Sequence, residues 1–78
     1  MVLEQIYLRP TSRTIPWSNI ESLFIVLGAE ISERAGSRVA VVLFDEVRVF
    51  HRLHPSPNTD KGVIASIRKW LEQYEVTP

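Results

Sequence analysis

The sequence predicts an α+β two-layer sandwich in the order α-β-β-β-α, preceded by a short extra helix. Three observations predict it. Ile20, Leu23, Phe24 and Leu27 recur at i, i+3, i+4 and i+7, the period of one buried helix face. Arg38 to Phe44 is β-branched and apolar on both faces, as a central strand should be, and the short connections on either side of it imply an antiparallel meander. Ile64, Ile67 or Arg68, Leu71 and Tyr74 then lie close to one face of a second helix. Three antiparallel strands with both long helices on one face make two layers.

The elements follow in order. Leu3, Ile6 and Tyr7 sit at helical spacing in Val2 to Leu8, and Pro10 ends that helix. One or two turns are too short to hold alone, so this helix needs a partner to pack on. Thr11 to Thr14 is a polar linker. Ile15-Pro16-Trp17 opens the next helix, because proline suits a first turn that has no use for its missing N–H. The helix is expected over 17–27, with Gly28 supplying the left-handed residue that ends it. Ala29 to Arg34 alternates like an edge strand, Ala35-Gly36-Ser37 turns, and the central strand runs over 38–44. Asp45-Glu46 turns again and Val47 to Leu53 is the third strand. A two-residue loop would pair Phe44 with Val47. A three-residue loop pairs Leu43 with Val47 and puts Val39, Val41, Leu43, Val47 and Val49 on one face, the cleaner core face and the expected register. Pro55 to Asp60 is a loop whose Thr59 or Asp60 can cap a helix over 61–74. Gly62 in that helix's first turn points to close backbone approach to an anion or to tight packing. The chain from Glu75 onward is expected to fray.

Composition narrows the function classes. The 78 residues read as a single domain, 1–78, small enough to bury only about 60% of its unfolded surface. There is no cysteine, which removes disulfides and thiolate metal sites and fits a cytoplasmic protein. No secretory leader is read at the N-terminus, and no apolar run reaches the roughly 20 residues that span a bilayer. The formal net charge is zero, which counts against a strongly basic nucleic-acid binder. The charge is nevertheless basic where the histidines are, with Arg48, Arg52, Lys61, Arg68 and Lys69 near His51 and His54.

The stretch Val49 to Gly62 (VFHRLHPSPNTDKG) carries the candidate chemistry. Antiparallel pairing brings the start of strand two beside the end of strand three, so Arg38 should meet His51 to His54, with the next helix starting close by. Arg38, Arg52, His51, His54 and Lys61 can converge on one corner, where the helix N-terminus adds N–H groups and partial positive charge. Histidine exchanges protons near neutral pH, while arginine and lysine hold a phosphate and its developing charge. Such groups can activate an RNA 2′-hydroxyl against the adjacent phosphate, with no cofactor. Each residue also has a structural reading: a strand-end histidine can be a surface residue, and Arg52 and Lys61 can be solvated charges. Two histidines three apart with no clustered carboxylates are weak metal spacing, so no metal site is assigned. No phosphate loop, dinucleotide or serine-triad motif is present. Trp17 and Trp70 fall where packing residues fall.

The order helix, Leu27-Gly28, strand, Gly36-Ser37, strand, strand, His54, Lys61-Gly62, helix resembles the HicA toxins of bacterial toxin–antitoxin systems. The pieces that carry it are IESLFIVLGAEISERAGSR and HPSPNTDKGVIASIRKWL, and it covers about Ile15 to Leu71. The resemblance implies a fold like a double-stranded-RNA-binding domain. It also implies a ribosome-independent mRNA endonuclease neutralised by direct binding of a HicB-like antitoxin, in a hetero-oligomer. In one respect this chain departs from the family. The family's catalytic histidine follows Gly-Ser, and here that position is Arg38, which stays protonated and cannot act as a base near neutral pH. Either His51 or His54 has taken over, or activity is lost while RNA binding persists, or the acid–base arrangement differs. The first is the expectation, with His54 as base or acid, His51 as its partner, and Arg38, Arg52 and Lys61 on the phosphate. The alternative is a non-catalytic RNA-binding module on the same fold. Strand two is apolar on both faces while a two-layer sandwich covers one, so Ala40, Val42 and Phe44 form a stripe open to an antitoxin or a second copy.

Overall fold

A computed structural model describes residues 2–8, 10–11, 15–52 and 57–78. The elements are α1 (Val2–Tyr7), α2 (Trp17–Val26), β1 (Glu30–Arg34), β2 (Arg38–Leu43), β3 (Glu46–His51) and α3 (Lys61–Gln73). The strands form one antiparallel sheet in the order β1-β2-β3. Both long helices cover the same face, as expected. There Phe50 of β3 lies 6.0 Å from Trp17 and from Phe24 of α2, and 6.1 Å from Trp70 of α3, between ring centroids. Val39, Val41, Leu43, Ile64, Ile67 and Leu71 pack into the same core with Ile15, Ile20 and, from α1, Leu3 and Ile6, and both tryptophans are buried in it. Ile25 and Val26 are exposed on the far side of α2.

The β2–β3 register differs from the expected one. Leu43 pairs with Glu46, Val41 with Arg48 and Val39 with Phe50, so the loop is the two-residue Phe44-Asp45. Both loop residues are left-handed, with φ of 57° and 59°, as in the type I′ turn whose twist suits a tight hairpin. Val47 and Val49 therefore point away from the helices and are exposed, and Phe50 supplies the core instead. The physical reason lies in the aromatic residues. This register buries the larger Phe50 ring, and Phe44, half-buried at the turn, stacks on Tyr74 at 4.1 Å and meets Trp70 edge-on at 5.8 Å. Two such contacts add about 0.5–1.5 kcal/mol each and offset the strain of non-glycine residues at positive φ. Arg48, placed inward by the register, lays its guanidinium 5.0 Å over the Trp70 ring. The open stripe is accordingly Val42, Val47 and Val49; Ala40 is buried.

Both long helices end in the same hydrogen-bond motif. After α2, Ala29 N–H donates to Phe24 O and Gly28 N–H to Ile25 O, with Gly28 at φ 93° as the sequence leads one to expect. After α3, Val76 N–H donates to Leu71 O and Glu75 N–H to Glu72 O, with Glu75 at φ 58°. The segment after α3 is thus tied at its start rather than frayed, and the Tyr7 hydroxyl donates to Val76 O at 2.6 Å. Burial pushes the Tyr7 phenol up, helped by Glu72 and opposed by Arg68.

α1 docks through Leu3 and Ile6, both buried in the core, and is tied down by Arg68, a buried cation in the apolar face of α3. Its Nη1 donates to Ile6 O at 3.1 Å and reaches Leu8 O and Thr11 Oγ1 at 3.5 Å. These carbonyls close a helix whose C-terminal end favours a cation. The leads into α2 and α3 are laced together as well. Trp17 N–H donates to Pro57 O, Thr59 N–H donates to Ile15 O, and Pro16 bridges Asn58.

Candidate functional site

The site lies at the end of the sheet where β2 begins and β3 ends. Gly36 and Ser37, at φ 70° and 63°, turn the chain from β1 into β2 over three residues. Ser37 O then accepts the Arg52 N–H at 3.0 Å, which carries the ladder one step past β3. Hydrogen-bonded and non-hydrogen-bonded pairs alternate along such a ladder, so the next pair, Arg38 with His51, is non-hydrogen-bonded. Side chains are nearest in that kind of pair, with Cβ atoms about 4.5–5.5 Å apart. Both residues are exposed on the face away from the helices. Arg38 Nε donates to Ala35 O at 2.9 Å, which anchors the side chain at the turn.

The structure brings together some of the expected residues and separates others. Arg38 and His51 are cross-strand neighbours. Arg52 does not join them: its Nη2 lies 2.8 Å from Glu33 Oε1 on β1, on the opposite side of the strand from His51. Lys61 is exposed at the first position of α3. It stands at the same end of the molecule but in the helix layer, because the Pro16–Asn58 bridge holds the start of α3 beside the start of α2. His54 lies outside the described residues.

The start of α3 is not an open anion cradle. Asp60 caps the helix, accepting the Gly62 N–H on Oδ2 at 2.9 Å. A Cβ at position 62 would sit 2.9 Å from that same oxygen, so Gly62 makes room for the cap.

Arg34 was missed from the sequence. It pairs with Arg38 across β1–β2, so Arg34, Arg38 and His51 form one row on the open face. The available signal was the alternation Glu30, Ser32, Arg34 carried through a three-residue turn. Arg34 and Arg38, with Val47 and Val49, line a shallow groove of about 350 Å³.

Fold and site together define a class: a small α-β-β-β-α domain of the double-stranded-RNA-binding type, with a cationic row and a histidine on its uncovered sheet face. The family model described as HicA toxin of bacterial toxin-antitoxin matches residues 17–76, from the first residue of α2 to the capping segment after α3. The chain belongs to that toxin family, with α1 as an addition before the matched span. No curated protein and no solved structure matches the chain. Among the described residues no helix is long and apolar enough to cross a membrane.

Proposed function

We propose that this chain is a metal-independent endoribonuclease that cuts mRNA in the cytoplasm and is neutralised by direct binding of a HicB-like antitoxin. The observation that carries the nuclease reading is the close pairing of His51 with Arg38. The family's histidine belongs where Arg38 stands, and the imidazole directly across the ladder reaches the same neighbourhood. In this reading one imidazole takes the proton of an RNA 2′-hydroxyl and the 2′-oxygen attacks the adjacent phosphorus. The bond from phosphorus to the 5′-oxygen breaks, and the second imidazole returns a proton to that leaving oxygen. The products are a 2′,3′-cyclic phosphate and a 5′-hydroxyl. His54 is the base or acid and His51 its partner; Arg38 offsets the charge that builds on the phosphate, and Lys61, in the helix layer, meets a neighbouring phosphate of the RNA strand. Arg52, engaged by Glu33, holds the strand end in register. The antitoxin part of the reading rests on the family, whose description pairs toxin with antitoxin.

The test is cleavage of a defined single-stranded RNA in EDTA, with circular dichroism on each variant. The parent should cut. His54→Ala and His51→Ala should each lose about 10²-fold or more, as expected for removal of an acid–base group. Full cleavage by a folded His54→Ala protein would remove His54 from the mechanism. A second reading, a non-catalytic RNA-binding module, is favoured by Arg38 at the family's histidine position. It predicts RNA binding by the parent with no product.

A further inference from the structure

We infer that the groove lined by Arg34, Arg38, Val47 and Val49 is a subsite for one nucleotide of single-stranded RNA, its phosphate held between the two arginines and its ribose and base lying on the valines. This rests on the reading above for the ligand class alone; it asks nothing of the catalytic step. Three observations carry it. Arg34 and Arg38 are directly opposed across the ladder, and like charges so placed destabilise a sheet unless an anion sits between them. Among the described residues neither arginine makes an ion pair, whereas Arg48 and Arg52 each have a carboxylate. The groove floor is apolar, with Val47 62% and Val49 56% exposed. Paired guanidinium groups beside a flat apolar floor match a phosphodiester and the sugar-base unit attached to it. The row ends at His51, so a nucleotide seated here lies next to the proposed scissile phosphate.

The test is the salt dependence of binding to a labelled 2′-O-methyl RNA, which lacks the attacking hydroxyl and cannot be cut by that route. Anisotropy titrations would run between about 50 and about 200 mM salt on the parent, Arg34→Gln, Arg34→Lys and Lys69→Gln. Arg34→Gln should weaken binding about tenfold at low salt and reduce the salt slope by about 0.7, the share of one phosphate contact on a single strand. Arg34→Lys should restore the slope and shows that a folded protein is being read. Lys69→Gln, which removes an equal charge from α3, should keep the parent's slope. An unchanged Arg34→Gln slope overturns the subsite, as does an equal loss in Lys69→Gln, which would mean diffuse attraction. Full RNA binding by Arg34→Gln with weakened antitoxin binding overturns it in favour of a protein surface. RNA that binds through Arg34 without natural RNA being cut sinks the nuclease and leaves the subsite standing; the reverse pattern does the opposite.

Discussion

Arg68→Met removes a buried charge while keeping most of the side chain's volume, and it measures how much the guanidinium adds to the apolar docking of α1 through Leu3 and Ile6. Arg68 is 6% exposed and makes one short hydrogen bond, 3.1 Å to Ile6 O. Its reaches to Leu8 O and Thr11 Oγ1, at 3.5 Å, are at the limit and add little. A hydrogen bond to a charged group is worth about 1.5–3 kcal/mol, and leaving Ile6 O unpaired adds to the loss. Against this stands the relief of no longer burying a guanidinium, which reduces the net effect. We expect about 2 kcal/mol of destabilisation, or a Tm lowered by about 8–16 °C for a domain of this size. α1 has six residues and cannot persist once undocked. Hydrogen exchange should therefore show early loss of protection at Leu3 to Tyr7, with the sheet still protected. The assay is thermal melting by circular dichroism together with that exchange pattern. A variant melting within about 2 °C of the parent, or above it, would refute the reasoning; the burial of the charge would then cancel its hydrogen bonds.

Two further outcomes bear on the fold. Hydrogen bonds from Tyr74 and then from Arg48 lower the Glu46 carboxyl pKa below its usual 4.5, and Glu46 raises the Tyr74 phenol. A depressed carboxyl contributes stability that is fully present above the unfolded pKa and is lost as pH falls through the folded one. Denaturant midpoints should therefore drop below about pH 4.5, and Glu46→Gln should flatten that acid limb; an equally steep limb in the variant would assign it elsewhere. Asp60→Ala deletes the α3 cap and should cost about 1 kcal/mol in a denaturant melt, and no change in midpoint would show the cap to be idle.

The fold was legible where apolar period and punctuation agreed. Ile20, Phe24 and Ile64, Ile67, Leu71 mark their buried faces, and Gly28 marks where α2 stops. The β2–β3 register was not, because the competing turns differ by where the left-handed residues fall, and Phe44 and Asp45 carry no glycine to announce it. Alternation alone placed Val47 and Val49 inside; the aromatic contacts of Phe44 with Tyr74 and of Phe50 with Trp70, made far along the chain, decide otherwise. The meeting of Arg38 and His51 followed from antiparallel pairing under any register near the true one. Arg34 and the Glu33–Arg52 pair did not, since each depends on which face a strand-end residue takes. The role of Arg68 was hidden by its position in an apolar stripe, where a cation looks like an interruption and is instead the anchor of another helix.

The hydrogen bond from Tyr7 to Val76 joins the first helix to the segment after the last one. Both lie with the helices, on the side of the molecule away from the Arg34–Arg38–His51 row. An affinity handle or a fluorophore placed on α1 or at Val76 therefore sits on the helix side, behind the sheet's open face. A protein tethered through that side keeps its Arg34–Arg38–His51 row facing solvent.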